Sequence, residues 1–140
     1  MRVLMIVLAL SLGLAAAGCD AARTEFDAGA AAYGRHDYDA AVEHLTQAIR
    51  LKPDNADAYF MRGLAYDHKG LSEQAAADFT KTIEIAPDYS GAYDLRGNIY
   101  EKLGKKDEAL ADYRKALSLK PDSQRSSEGL KRLSPAPPPS

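Results

Sequence analysis

Two textures of hydrophobic patterning divide this chain. The run VLMIVLAL from Val3 to Leu10 is unbroken, and no charge interrupts its continuation through Ser11 to Ala17. From Ala22 onward the apolar positions instead recur three and four residues apart among charged ones, the spacing of helices that bury one face. This pattern predicts helices over 22–34, 38–51, 56–69, 72–85, 90–103 and 106–119. Gly70 and Gly104 stand where a first helix ends in a left-handed residue that other side chains resist. Pro53, Pro87 and Pro121 stop the second helices, because proline lacks the N–H and clashes with the preceding turn. Asp57 suits the positive end of its helix. No stretch carries a strand pattern, so the fold class is all-α.

The three prolines lie 34 residues apart, and the windows 56–89 and 90–123 share 12 identical positions. AYFMRGLAY in the first window becomes AYDLRGNIY in the second. An earlier and more degenerate copy, 22–55, keeps Gly29, Ala41, Leu45, Ala48 and Pro53. Gly29, Gly63 and Gly97 fall inside helices, where glycine costs roughly 1 kcal/mol against alanine. That cost is consistent with a close helix approach, for which Ala41, Ala75 and Ala109 are the expected facing residues. Arg62 and Asp78 are 16 residues apart, as are Arg96 and Asp112, while the copy with Ala28 has His44 in place of Asp. Arg and Asp that occur together predict an ion pair, joining the two helices of a repeat or adjacent repeats beside the glycine.

Tyr59, Arg62, Gly63, Tyr66, Ala75, Phe79, Thr82 and Pro87, repeated as Tyr93, Arg96, Gly97, Tyr100, Ala109, Tyr113, Ala116 and Pro121, make the chain resemble the tetratricopeptide repeat family. The first copy departs from the pattern at Glu25, Ala28 and Ala32. The resemblance implies a right-handed superhelical solenoid of three helix-turn-helix repeats, 22–55, 56–89 and 90–123. A short capping helix over 124–133, with Leu130 and Leu133 as its apolar contacts, would close the end that repeat arrays must cover. The proline-rich stretch 134–140 cannot be helical and would sample polyproline II.

Members of this family grip peptides or partner helices in a concave groove lined by successive first helices. Carried onto this chain, the groove residues are Arg23, Phe26, Ala30 and Tyr33, then Asp57, Phe60, Leu64, Asp67 and His68, then Asp94, Asn98, Glu101 and Lys102. The first half is apolar and aromatic and the second half more acidic, which suits a partner segment with an apolar end and a basic end. Phe26 and Phe60 are the candidate anchors, or else core residues. The Lys, Asn and Arg clamp by which chaperone-tail binders hold a terminal carboxylate has no counterpart: Phe26, Ala30, Met61, Gly91 and Leu95 stand at those positions.

The N-terminal stretch has a different reading. Arg2, the apolar run and the small-residue end at Gly18 have the form of an export signal over 1–18. Ala16-Ala17-Gly18-Cys19 resembles the lipobox of bacterial lipoproteins, which implies lipidation of Cys19 and a short linker over 19–21. A retained anchor helix and an ordinary cleavable signal with an incidental cysteine are the competing readings. A single cysteine excludes an internal disulfide and a multi-cysteine zinc site. A formal net charge of −2 offers no basic field for nucleic acid. His36, His44 and His68 lack metal-ligand spacing, and there is no phosphate loop or catalytic constellation. The expectation is therefore a non-catalytic module of the bacterial cell envelope that faces the periplasm, with a protein or peptide partner. It has no metal, cofactor, nucleic acid or small-molecule substrate. A self-assembling structural subunit and a soluble periplasmic adaptor are the alternatives.

Overall fold

The computed structural model describes residues 20–134, so the export segment, Cys19 and residues 135–140 lie outside the described residues. Seven helices follow one another: α1 over 20–34, α2 Tyr38–Leu51, α3 Ala56–His68, α4 Ser72–Ile85, α5 Ser90–Lys102, α6 Lys106–Leu119 and α7 Gln124–Leu133. There is no strand among the described residues. From α2 onward each helix packs on the next, and α7 lies on α6 and also touches α5. The molecule is an all-helical solenoid of three helical pairs closed by a seventh helix.

Local chemistry sets the boundaries. Asp37, Asn55 and Ser123 cap α2, α3 and α7, their side chains accepting from the N–H groups of Ala40, Ala58 and Ser126. Each second helix has its C-cap one residue before the proline, at Lys52, Ala86 or Lys120. Gly70 and Gly104 adopt φ of +74° and +73°. The matching residue of the first pair is His36, which holds φ 63° without being glycine. The first helices α3 and α5 stop one residue earlier than the pattern predicts, at His68 and Lys102.

The core corrects the account of the helix glycines. Ala41, Ala75 and Ala109 are fully buried, but they are not what the glycines accommodate. A Cβ on Gly63 would lie 2.9 Å from Phe79 Cε1, and one on Gly97 would lie 2.9 Å from the Tyr113 ring. In the first pair the neighbour of Gly29 is Leu45. The glycine thus makes room for the large residue one turn beyond the alanine, which lies against bare backbone at full burial. The capping helix differs in the same way. Leu130 and Leu133 are only half-buried, and the residues that seat α7 are Ser126 and Gly129, the latter directly over the Tyr113 ring.

Candidate partner-binding face

Arg62 and Arg96 fix how the helix pairs sit relative to one another. Arg62 Nε donates to Asp78 Oδ2 at 2.7 Å and Nη2 donates to Oδ1 at 2.8 Å, a two-pronged pair between α3 and α4. Its third nitrogen, Nη1, donates to Thr46 Oγ1 on α2 at 3.0 Å. Arg96 repeats the arrangement one pair later, with Asp112 at 2.8 Å twice and Thr80 at 2.9 Å. Each guanidinium lies between two tyrosine rings, Tyr59 and Tyr66 about Arg62 and Tyr93 and Tyr100 about Arg96, at 5.5–5.8 Å from their centroids. Bonding to the aspartate raises both guanidinium pKa values, against burial, which lowers them. One side chain therefore ties three consecutive helices. In the first pair, where this arginine is absent, Glu25 Oε2 and His44 Nδ1 meet at 2.8 Å.

Sequence reasoning did not assign Thr46, Thr80 or the Glu25–His44 contact. A signal for the threonines exists, since each stands 16 residues before its arginine and they are themselves 34 apart.

The residues assigned to the groove all lie on the first helices α1, α3 and α5, and none is fully buried. Contacts between their side chains run from one first helix to the next. Tyr33 meets His68 edge-on at 5.6 Å, and His68 stacks on Tyr38 at 4.7 Å. Lys102 Nζ donates to Asp67 at 2.7 Å, and Arg132 of α7 donates to both oxygens of Glu101, at 3.1 and 3.0 Å. The face is continuous from α1 to α7.

Its charge differs from the expectation. Every acid on it is engaged from within: Asp57 by the Tyr89 hydroxyl, Asp67 by Lys102, Asp94 by Ser123, Arg125 and Ser126, and Glu101 by Tyr113 and Arg132. The third-repeat acids thus serve the capping helix, whose basic and hydroxyl side chains reach back over α5. Phe60 is half-buried among Phe79, 5.6 Å away, and Tyr89, 4.7 Å away, so it is partly a core residue. Phe26 packs similarly on the buried Ala48, Ile49 and Ala58.

Models of the tetratricopeptide repeat match residues 26–90 and 95–123. The Arabidopsis OM64 TPR domain is 34% identical, with 83% of this chain and 96% of that one covered and a TM-score of 0.80. The chain belongs to the tetratricopeptide repeat family. The second TPR domain of human RPAP3, whose structure is a complex with an HSP70 peptide, is 28% identical over 85% of this chain and 99% of that one, with a TM-score of 0.79. MamA is 35% identical over 74% of this chain and 60% of that one, with a TM-score of 0.71. No curated protein matches the chain.

The fold is typically one of protein interaction, and neither the repeat models nor these structures indicate an enzymatic family. Among the described residues no helix is long and apolar enough to cross a membrane, and no group of three or more His, Cys, Asp or Glu is placed to hold a metal ion.

Proposed function

We propose that the protein is a non-catalytic scaffold of the bacterial cell envelope, anchored through a lipid on Cys19, that binds a segment of another protein on the face formed by α1, α3 and α5. The observation that carries the binding part is the continuity of that face. It crosses the three first helices and runs on to α7, none of its assigned residues is fully buried, and relatives of this fold include a TPR domain held with an HSP70 peptide. The anchor rests on the sequence: an uncharged apolar run that ends in small residues before the sole cysteine. A thiol alkylated with acyl chains gains about 0.8 kcal/mol of membrane affinity per buried CH2, so two or three chains hold firmly where one does not. The mature protein then carries a binding face on a short tether at a membrane surface.

Two experiments test the two parts. Cys19→Ser is expected to move the protein from the membrane fraction to the soluble periplasmic fraction; unchanged fractionation contradicts the lipid anchor. Affinity capture from envelope extracts is expected to return the same partner with wild type and with a second-helix variant, Glu73→Arg with Arg114→Glu. It is expected to lose that partner with His68→Glu and Lys102→Glu. All four residues are exposed, and because Lys102 pairs with Asp67 and His68 stacks on Tyr38, capture is compared only between variants of unaltered helix content and melting temperature. Equal capture by both variants contradicts the assignment of the face.

A further inference from the structure

A slot recurs in each repeat where the start of the first helix, the end of the second and the residue after the proline turn meet. In the second repeat it is filled from within. Tyr89 lays its ring on Phe60, centroids 4.7 Å apart and planes inclined by 33°, and its hydroxyl donates to Asp57 Oδ1 at 3.1 Å. Burial and the Asp57 carboxylate push this phenol up to about 12. In the third repeat the matching slot holds a carboxylate of the chain itself. Asp94 accepts there from Ser123 at 3.2 Å, from Arg125 at 3.0 Å and from Ser126, leaving a cavity of about 130 Å³.

Among the described residues the first repeat has neither plug. Thirty-four residues before Tyr89, Phe60, Asp57 and Ala86 stand Asn55, Phe26, Arg23 and Lys52. They line a cavity of about 250 Å³ together with Ala22. Phe26 packs on Ala48, Ile49 and Ala58 beside it, as Phe60 does on its own core. The charge is reversed, since Arg23 replaces Asp57 and Lys52 replaces Ala86. The Arg23 side chain is 84% exposed, and among the described residues its one ion-pair contact, to Asp27, is 3.9 Å long. Among the described residues Lys52 makes no side-chain bond.

We propose that the first-repeat slot receives an aromatic side chain of a partner protein that carries a carboxylate beside the ring. The ring takes on Phe26 the place Tyr89 takes on Phe60, and the carboxylate pairs with Arg23 and Lys52. The second repeat defines the aromatic half of this chemistry, since its ring fits the register. The carboxylate half follows from the two cations, because the third repeat puts Asp94 at the place of Phe26 itself. Two cations where the second repeat has an acid and an alanine select an anion over a phenol hydroxyl, and charge-assisted bonds are the stronger kind. The inference rests on the reading of the α1, α3 and α5 face as a binding surface and states what one end of that face recognises.

The test is a titration of the full chain, 15N-labelled and held in solution with a zwitterionic detergent, by acetyl-Asp-Tyr-Asp-amide, with acetyl-Asp-Ala-Asp-amide and acetyl-Lys-Tyr-Lys-amide as controls. The first peptide is expected to shift the amides of Arg23, Phe26, Lys52 and Asn55. Either control is expected to bind about tenfold more weakly or worse. Asn55→Tyr builds into the first repeat the plug of the second and is expected to abolish the shifts. Arg23→Glu combined with Lys52→Glu is expected to reverse the preference toward the lysine peptide. Undiminished binding to an Asn55→Tyr variant of unaltered helix content overturns the slot. So does the absence of shifts with any peptide, or shifts confined to Leu64 and Asn98. That last result leaves the wider face intact, and capture by the charge-reversed face variants judges that reading separately.

Discussion

Arg62 and Arg96 each place five donors where three helices and two tyrosine rings converge, with side chains only 17% and 15% exposed. A charge so placed is held by its partner more than it stabilises the fold. Removing one member of such a pair typically costs ~3–5 kcal/mol because the other is stranded, while replacing both with apolar groups costs far less. Arg96→Ala is therefore expected to destabilise by about 3 kcal/mol, and Arg96→Ala combined with Asp112→Leu by markedly less, read from urea unfolding midpoints. Equal losses would remove the pair from the account. His36 presents the opposite case. A left-handed non-glycine residue costs roughly 1–2 kcal/mol and glycine in the unfolded chain about 0.5–1 kcal/mol of entropy. His36→Gly is then expected to raise stability by up to about 1 kcal/mol, seen as a higher melting temperature. The arginine and aspartate were legible in sequence because they appear and vanish together across the copies. Thr46 and Thr80 were not singled out, because a threonine within a helix carries no charge to balance. The φ of His36 was legible only as a position, by its register with Gly70 and Gly104.

The capping helix α7 docks through groups that titrate. Arg132 holds the Glu101 carboxyl below the ordinary carboxylate range, and the Tyr113 hydroxyl, donating at 2.8 Å, contributes to this against the effect of burial. Burial first, then Glu101, pushes the Tyr113 phenol from its ordinary 10.0 up to about 12. The folded state favours the charged form of Glu101, so that stabilisation is present above its ordinary pKa and is lost as pH falls through the depressed one. The folded state favours the neutral form of Tyr113, so that contribution is intact below pH 10 and is lost as pH rises toward about 12. Amide protection in Gln124–Leu133, the exchange rate relative to that of the unfolded chain at the same pH, is expected to be greatest over the broad middle of the range and to fall at both ends. Tyr113→Phe is expected to flatten the alkaline limb. A pH-independent protection of α7 would contradict this docking scheme. The existence of the cap was legible from the need to close a repeat array and from the run ending at Leu133. Its mode of attachment was not. The apolar leucines draw the eye in sequence, whereas Gly129 gains its role only from the ring of Tyr113 beneath it.

At the scale of the molecule, a 34-residue period with glycine, aromatic and proline at fixed offsets made the solenoid legible almost entirely. The period forces each pair to bury its apolar face on the next. What one sequence could not display is which side chains on the shared face are already engaged. The acids at Asp57, Asp67, Asp94 and Glu101 looked like an acidic surface, and they bond to residues 12 to 35 positions away. Only the three-dimensional register reveals that, among the described residues, the cations of the first-repeat slot are the loosely held ones: Arg23 has a 3.9 Å contact to Asp27 and Lys52 makes no side-chain bond. Site-specific photocross-linking in the living cell addresses the central claim most directly. A photoreactive residue is placed in turn at Arg23, His68 and Lys102 on the first helices, and at Glu73 and Arg114 on the second. Adducts to one and the same protein are expected from the first three positions and none from the other two. Adducts from the second-helix positions alone, or from no position at all, would contradict that claim.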